Sequence, residues 1–151
     1  MSSFNDALMA DFQAHGGHAT SGPFVGRPLL LITTLGARSG MARTTPLVYT
    51  RDGARYVVIA SKGGSPTHPA CYHNLRADPT VIIEVGEERF EAVATVVDGP
   101  ERRRLYDAQA ALMPGFAEYE RRTSRVIPVI TLDRREASLK PTKRAPEERD
   151  V

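Results

Sequence analysis

Cysteine is almost missing from this chain. The single Cys71 excludes an intramolecular disulfide and a cysteine-built structural zinc site, and it fits a reducing cytoplasm. Net charge is small as well: 20 basic against 18 acidic residues leave +2, too little to attract nucleic acid by bulk charge. Aromatic residues make up 7% of the chain, and none sits in either basic loop, so the stacking platform of a single-stranded nucleic-acid surface is not there. No apolar run approaches the ~20 residues that cross a bilayer. Met1 to Asp11 carries Asp6 and Asp11 and no apolar core run, so no secretory signal is expected. His15 and His18 lack a carboxylate or cysteine at ligand spacing, and no metal site is expected.

What is present suits one soluble domain of 151 residues. Three regions are expected: an N-terminal helix and flexible loop over 1–25, a folded body over 26–135, and a charged, disordered tail over 136–151, where apolar residues run out. Phe4, Leu8 and Phe12 stand at helical spacing with Met9 beside them. That stripe could dock on the body, cover a ligand or rest on a membrane surface; docking is the expected use, because the basic polar face of membrane helices is missing.

The chain is organised around Leu29 to Leu47, an apolar run that breaks at Gly36-Ala37-Arg38-Ser39-Gly40 and resumes after Arg43. Gly36 and Gly40 allow close backbone approach, Ser39 adds a hydroxyl, and Arg38 and Arg43 offer cationic forks to a phosphate or carboxylate. This is neither a P-loop, for which the lysine is missing, nor a dinucleotide fingerprint, for which no helix follows. A plain hairpin with exposed arginines reads the same in sequence. Pro28 to Thr34 and Arg43 to Arg51 are expected as paired strands. Asp52-Gly53 then turns the chain into a third strand, Arg55 to Ala60, making a meander. A second Gly loop, Ser61-Lys62-Gly63-Gly64, again meets anions, and Pro69 opens a helix reaching Ala77 whose Tyr72 and Leu75 could cover a barrel end. Thr80 to Val85 and Arg89 to Val97 form a hairpin about Gly86-Glu87. Pro100 starts a helix with Arg102, Arg103 and Arg104 solvated and Leu105, Ala108 and Leu112 inward, and a short helix follows Pro114-Gly115. Ile127 to Leu132 returns as a strand that Pro128 assigns to an edge or bulge. The fold class is mainly β (α+β), a six-stranded antiparallel split β-barrel with flanking helices.

Leu30 to Thr34, Gly36 to Gly40 with Arg43, Pro46-Leu47, Ala60 to Gly64, Pro69 to Pro79 with Asn74-Leu75, and Arg125 to Val129 occur in an order that resembles the deazaflavin-dependent nitroreductase family. The resemblance covers roughly 28 to 133. It implies a flavin-reductase-type split barrel binding coenzyme F-420, with FMN a lesser alternative, and a reaction in which the cofactor supplies the hydride and the protein orients it. On that resemblance Arg38, Ser39, Gly40, Arg43 and Lys62 meet the phosphodiester and glutamates of the cofactor tail. Ser61, Gly63 and Gly64 and the strand Pro46-Leu47-Val48 lie along the deazaflavin ring, and Pro69, Tyr72 and Asn74 belong to the same cofactor site. Met113, Phe116 and Tyr119 stand where relatives place an aromatic acceptor pocket, with Tyr119 the candidate proton donor. The expected acceptor is a planar hydrophobic molecule such as a quinone, enone or nitro compound; the alternative is a non-catalytic carrier of the deazaflavin or another flavin-like anion. Two departures stand out: a thioether and a phenyl ring replace tyrosines in the acceptor cluster, and Cys71 replaces the tryptophan that many relatives carry before Tyr72. Cys71 itself is expected to pack, not react. The partners implied are a small molecule, either one or two copies of the chain, and a peripheral membrane contact only through the first helix.

Overall fold

The computed structural model describes residues 3–20, 22, 25–37, 39–61 and 68–135, with side chains from residue 6 onward. The expected 136–151 tail, Arg38, and the Lys62, Gly63 and Gly64 loop lie outside the described residues.

Helix α1 (Ser3–Ala14) docks as its stripe predicts: Leu8 and Phe12 are buried against Leu29 and Leu31 of strand β1 (Leu29–Leu35). Leu30 and Ile32 point the other way, into the main core. A strand covered on both faces reads as a continuous apolar run, which is why Leu29 to Ile32 shows no alternation. Those α1 residues are spent on the protein, and no described helix is long and apolar enough to cross a membrane.

Strand β2 (Ala42–Val48) pairs with β1 from Leu29 opposite Val48 to Leu35 opposite Ala42. The expected run to Arg51 and the meander do not hold. Tyr49 leaves the ladder, β3 (Thr50–Asp52) pairs with β4 (Arg55–Ile59), and the other neighbour of β4 is the last strand, β7 (Val129–Arg134). With β5 (Thr80–Val85) and β6 (Glu88–Val97), which form the expected hairpin, the sheet has seven strands instead of six, in the order β2-β1-β5-β6-β7-β4-β3. Its two edge strands are therefore joined by one residue. Two peptide steps reach about 7 Å at most, so the edges must meet at Tyr49 and the sheet curls into a split barrel.

Helix α2 (Ala70–Ala77) closes one end with Tyr72 and Leu75 in the barrel core. Pro128 does not make an edge. It precedes the first paired residue, Val129, where its missing N–H interrupts no ladder bond, and its carbonyl accepts from Ala60 N–H at 3.0 Å; β7 lies between β6 and β4.

Helices α3 (Gly99–Leu112) and α4 (Gly115–Arg121) pack with the outward residues Val57, Ile59 and Val129 in a second core. Leu105 turns inward as expected, but its companions are Tyr106 and Gln109, while Ala108 and Leu112 are exposed. The reason is Tyr106: its ring offers far more area to bury than either replaced residue, and its hydroxyl donates to Phe116 O at 2.6 Å, setting the α3–α4 corner. Nor are the three arginines merely solvated. Arg102 donates to Ile127 O at 2.9 Å and pairs with Glu120, which Arg103 shares, and Arg104 reaches Asp52.

Burial pushes the Tyr106 phenol up to about 12. A group whose folded pKa is raised contributes stability that is complete below its unfolded value and lost as pH climbs through the folded one. Stability should fall between about pH 10 and 12. An alkaline unfolding series in which Tyr106→Phe flattens that fall checks the assignment.

Candidate cofactor groove and acceptor pocket

The basic turn is locked by its own backbone. Gly36 N–H donates to Met41 O at 2.7 Å and Gly40 N–H to Gly36 O at 2.8 Å, with Gly40 at φ +71°. Ser39 Oγ accepts from Met41 N–H at 3.1 Å and would stand 2.6 Å from any Cβ on Gly36, so its hydroxyl is folded into the turn. Helix α2 pins the turn from outside: Asn74 Oδ1 accepts from Ala37 N–H at 2.9 Å while its amide donates to Thr34 Oγ1 at 3.2 Å. Asn74 is buried, and both ends of its side chain hold the loop.

Asn74→Ala should cost about 1–3 kcal/mol, because Ala37 N–H and Thr34 Oγ1 lose their partner together. It should also raise proton exchange at Ala37 N–H, which hydrogen–deuterium exchange reads directly.

Arg43, at the start of β2, is exposed and forms no ion pair among the described residues. Residues 36–43 contain no acid. A rigid turn that presents cations without a competing carboxylate suits a polyanionic tail, so these residues fit the cofactor that the resemblance implies. Beyond them Pro46, Leu47 and Val48 are half-buried along the edge strand.

The second loop leaves β4 at buried Ser61 and re-enters at Pro69, the N-cap of α2. Its entrance is clamped by Arg125, to which the sequence reading assigned no role. The Arg125 guanidinium donates to Ala60 O at 3.1 Å and Ser61 O at 2.6 Å, and lies 2.8 Å from His68 Nδ1. The signal was visible only as an arginine just upstream of the last strand, 64 residues from its carbonyl partner. His68 stacks on Tyr72 at 4.4 Å, and the Tyr72 hydroxyl accepts from Arg76 at 3.1 Å. Burial and the Arg125 charge hold His68 below the ordinary histidine range. Cys71 is buried and its thiol pushed up by desolvation, which agrees with packing and removes it as a nucleophile.

The three acceptor-pocket candidates come together. Met113, Phe116 and Tyr119 line one side of a cavity of about 600 Å³ at the α3–α4 corner, and residues 26–28 line the other. The Phe116 and Tyr119 rings meet edge-on at 5.3 Å. Pro28 lines the same cavity and its carbonyl accepts from Tyr49 N–H at 3.1 Å, so the pocket lies beside the end of the strand expected to carry the cofactor ring. The Tyr119 hydroxyl has no hydrogen bond among the described residues, and an added Cβ on Gly115 would lie 3.8 Å from it. Among the described residues no group of three or more His, Cys, Asp or Glu could hold a metal ion.

Residues 7–134 match the family described as F420H(2)-dependent quinone reductase. The chain belongs to that family. Among its quinone reductase relatives is one from Mycobacterium tuberculosis strain H37Rv, 41% identical over 134 residues, which span 87% of this chain and 88% of the relative. A solved structure described as an F420-H2 dependent reductase is 38% identical with a TM-score of 0.65, covering 71% of this chain and 95% of that one. Another, described as a domain-swapped dimer, is 32% identical with a TM-score of 0.67, covering 85% and 93%. The F-420 dependence implied by the sequence motifs is thus a property of the family, and quinone reduction is the activity its description carries.

Proposed function

We propose that this protein is an oxidoreductase that reduces a quinone with reduced coenzyme F-420. The single observation that carries the reading is the cavity of about 600 Å³ that Met113, Phe116 and Tyr119 share with Pro28, which is bonded to Tyr49 at one end of β2, with the acid-free turn of Arg43 at the other end of that strand. Coenzyme F-420, when bound, supplies the hydride. Arg38, Arg43 and Lys62 bind the anionic tail, the internally hydrogen-bonded Gly36–Met41 turn holds the arginines in place, and Pro46, Leu47 and Val48 orient the ring toward the pocket. Met113 and Phe116 give the acceptor apolar walls that exclude water, and Tyr119 donates a proton to the acceptor oxygen. Nitro compounds are secondary acceptors on this reading, since the pocket keeps only one phenol where relatives acting on them carry several. The protein works as a homodimer, a reading supported by the similar structure described as a domain-swapped dimer; light scattering that returns the 16.5 kDa of one chain would overturn that part.

The test combines binding and turnover. Fluorescence titration should show micromolar binding of F-420, weakened about tenfold or more by Arg38→Ala or Lys62→Ala, since each removes a charge-assisted contact. Menadione should then oxidise the reduced cofactor. Tyr119→Phe should lower kcat at least about tenfold while leaving cofactor affinity unchanged, as expected for loss of a proton donor. Binding without turnover would make the protein a carrier; no binding at all would end the reading.

A further inference from the structure

We infer that Arg27 makes the acceptor pocket selective for quinones that carry negative charge. The inference rests on reading the cavity of about 600 Å³ as the acceptor site. Of the described residues lining that cavity, Arg27 alone is charged; the others include Leu112, Met113, Pro114, Phe116 and Tyr119. Arg27 is exposed and forms no hydrogen bond or ion pair among the described residues, whereas Arg102, Arg103 and Arg104 of α3 are all paired. Its backbone is tied on the following residue: the carbonyl of Pro28 accepts from Tyr49 N–H at 3.1 Å, which anchors the rim from which the side chain rises. Arg27 also lines a neighbouring cavity of about 320 Å³ with His18, Glu87 and Glu88; neither glutamate comes within 4.0 Å ion-pair distance of it.

An unpaired guanidinium against an apolar wall has a consequence for any molecule that enters. Its field is screened less than in open water, and a planar anion can meet the fork while stacking on Phe116 and Tyr119. The charge matters during reaction too. A quinone that gains a hydride from reduced F-420 becomes its hydroquinone monoanion, one negative charge on the second oxygen, until a proton neutralises it. Arg27 favours that anion, and it favours most an acceptor already charged, such as a naphthoquinone with an ionised hydroxyl or carboxylate.

The experiment compares menadione, which is neutral, with 2-hydroxy-1,4-naphthoquinone, an anion at neutral pH, as acceptors from reduced F-420. Arg27→Gln should raise KM for the anionic quinone about fivefold and for menadione less than twofold, the upper range for a solvent-exposed charge pair. Arg27→Lys should keep most of the preference, and added salt should erode it in wild type but not in Arg27→Gln. Equilibrium dialysis of 2-hydroxy-1,4-naphthoquinone against the protein alone should show the same loss, and unchanged melting temperatures exclude misfolding of the variants. Equal effects on both quinones, or none on either, would overturn the inference. If wild type reduces neither quinone, the functional reading itself has failed; if it reduces menadione and ignores Arg27, only the selectivity has.

Discussion

Arg125→Met should weaken F-420 binding at least about tenfold and cost about 2–3 kcal/mol of stability. One guanidinium holds Ala60 O at 3.1 Å, Ser61 O at 2.6 Å and His68 at 2.8 Å, and hydrogen bonds to a charged group contribute about 1.5–3 kcal/mol where they replace buried, otherwise unsatisfied acceptors. Loss of the clamp frees the chain on both sides of residues 62–67, since Ala60 and Ser61 lie before that segment and His68 after it. Arg125→Lys should not restore it: an ammonium has no planar fork with which to bridge two successive carbonyls and an imidazole. Fluorescence titration of the cofactor should therefore show at least about a tenfold loss for both variants, larger than the change in thermal stability explains. Wild-type affinity in Arg125→Met would remove Arg125 from any positioning role.

Gly17→Ala should be the most damaging single-methyl change in the body. Gly17 adopts φ +91°, and an added Cβ would stand 2.4 Å from both Cα and O of Gly86, distances that only a backbone shift relieves. Gly17 follows α1, and Gly86 belongs to the β5–β6 turn, so the shift levers α1, with buried Leu8 and Phe12, off β1. The left-handed conformation and the clash together should cost about 3–4 kcal/mol, or on the order of 10 °C in Tm for a chain of this size. Gly86→Ala is the control. It meets nothing within 4 Å and should lose only the cost of its positive φ, about 1 kcal/mol. A melting temperature for Gly17→Ala equal to that of Gly86→Ala would show that the α1 loop adjusts freely.

Local pattern carried much of the molecule. The apolar run at Leu29, the Asp52-Gly53 and Gly86-Glu87 turns, the Pro69 helix start and the docking stripe of α1 were all legible because each depends on neighbours within a few residues. Met113, Phe116 and Tyr119 are grouped by the family resemblance alone, and they do share a cavity. Pairing was not legible. Nothing in Arg43 to Arg51 says that the ladder breaks at Tyr49 and moves to the opposite edge of the sheet, because that depends on where β7 lies, some 80 residues later. Pro128 looked like an edge residue because a proline one place outside a ladder reads the same as one inside it. Tyr106 was overlooked because helical spacing alone cannot rank an alanine at 108 against an aromatic whose hydroxyl finds a carbonyl.

By itself the sequence determined the chemistry on offer: a cationic, acid-free turn, a second glycine loop and an apolar segment with one phenol. Only the tertiary structure decided which of these meet. Curling the sheet until β2 and β3 join at Tyr49 puts Val48 against the α3–α4 corner and Arg27 on its rim, while Asn74 and Arg125 reach back across the chain to hold the two loops. Those contacts join residues too far apart for any local periodicity to record, and they form because a sheet with one buried face lowers its free energy by closing over it.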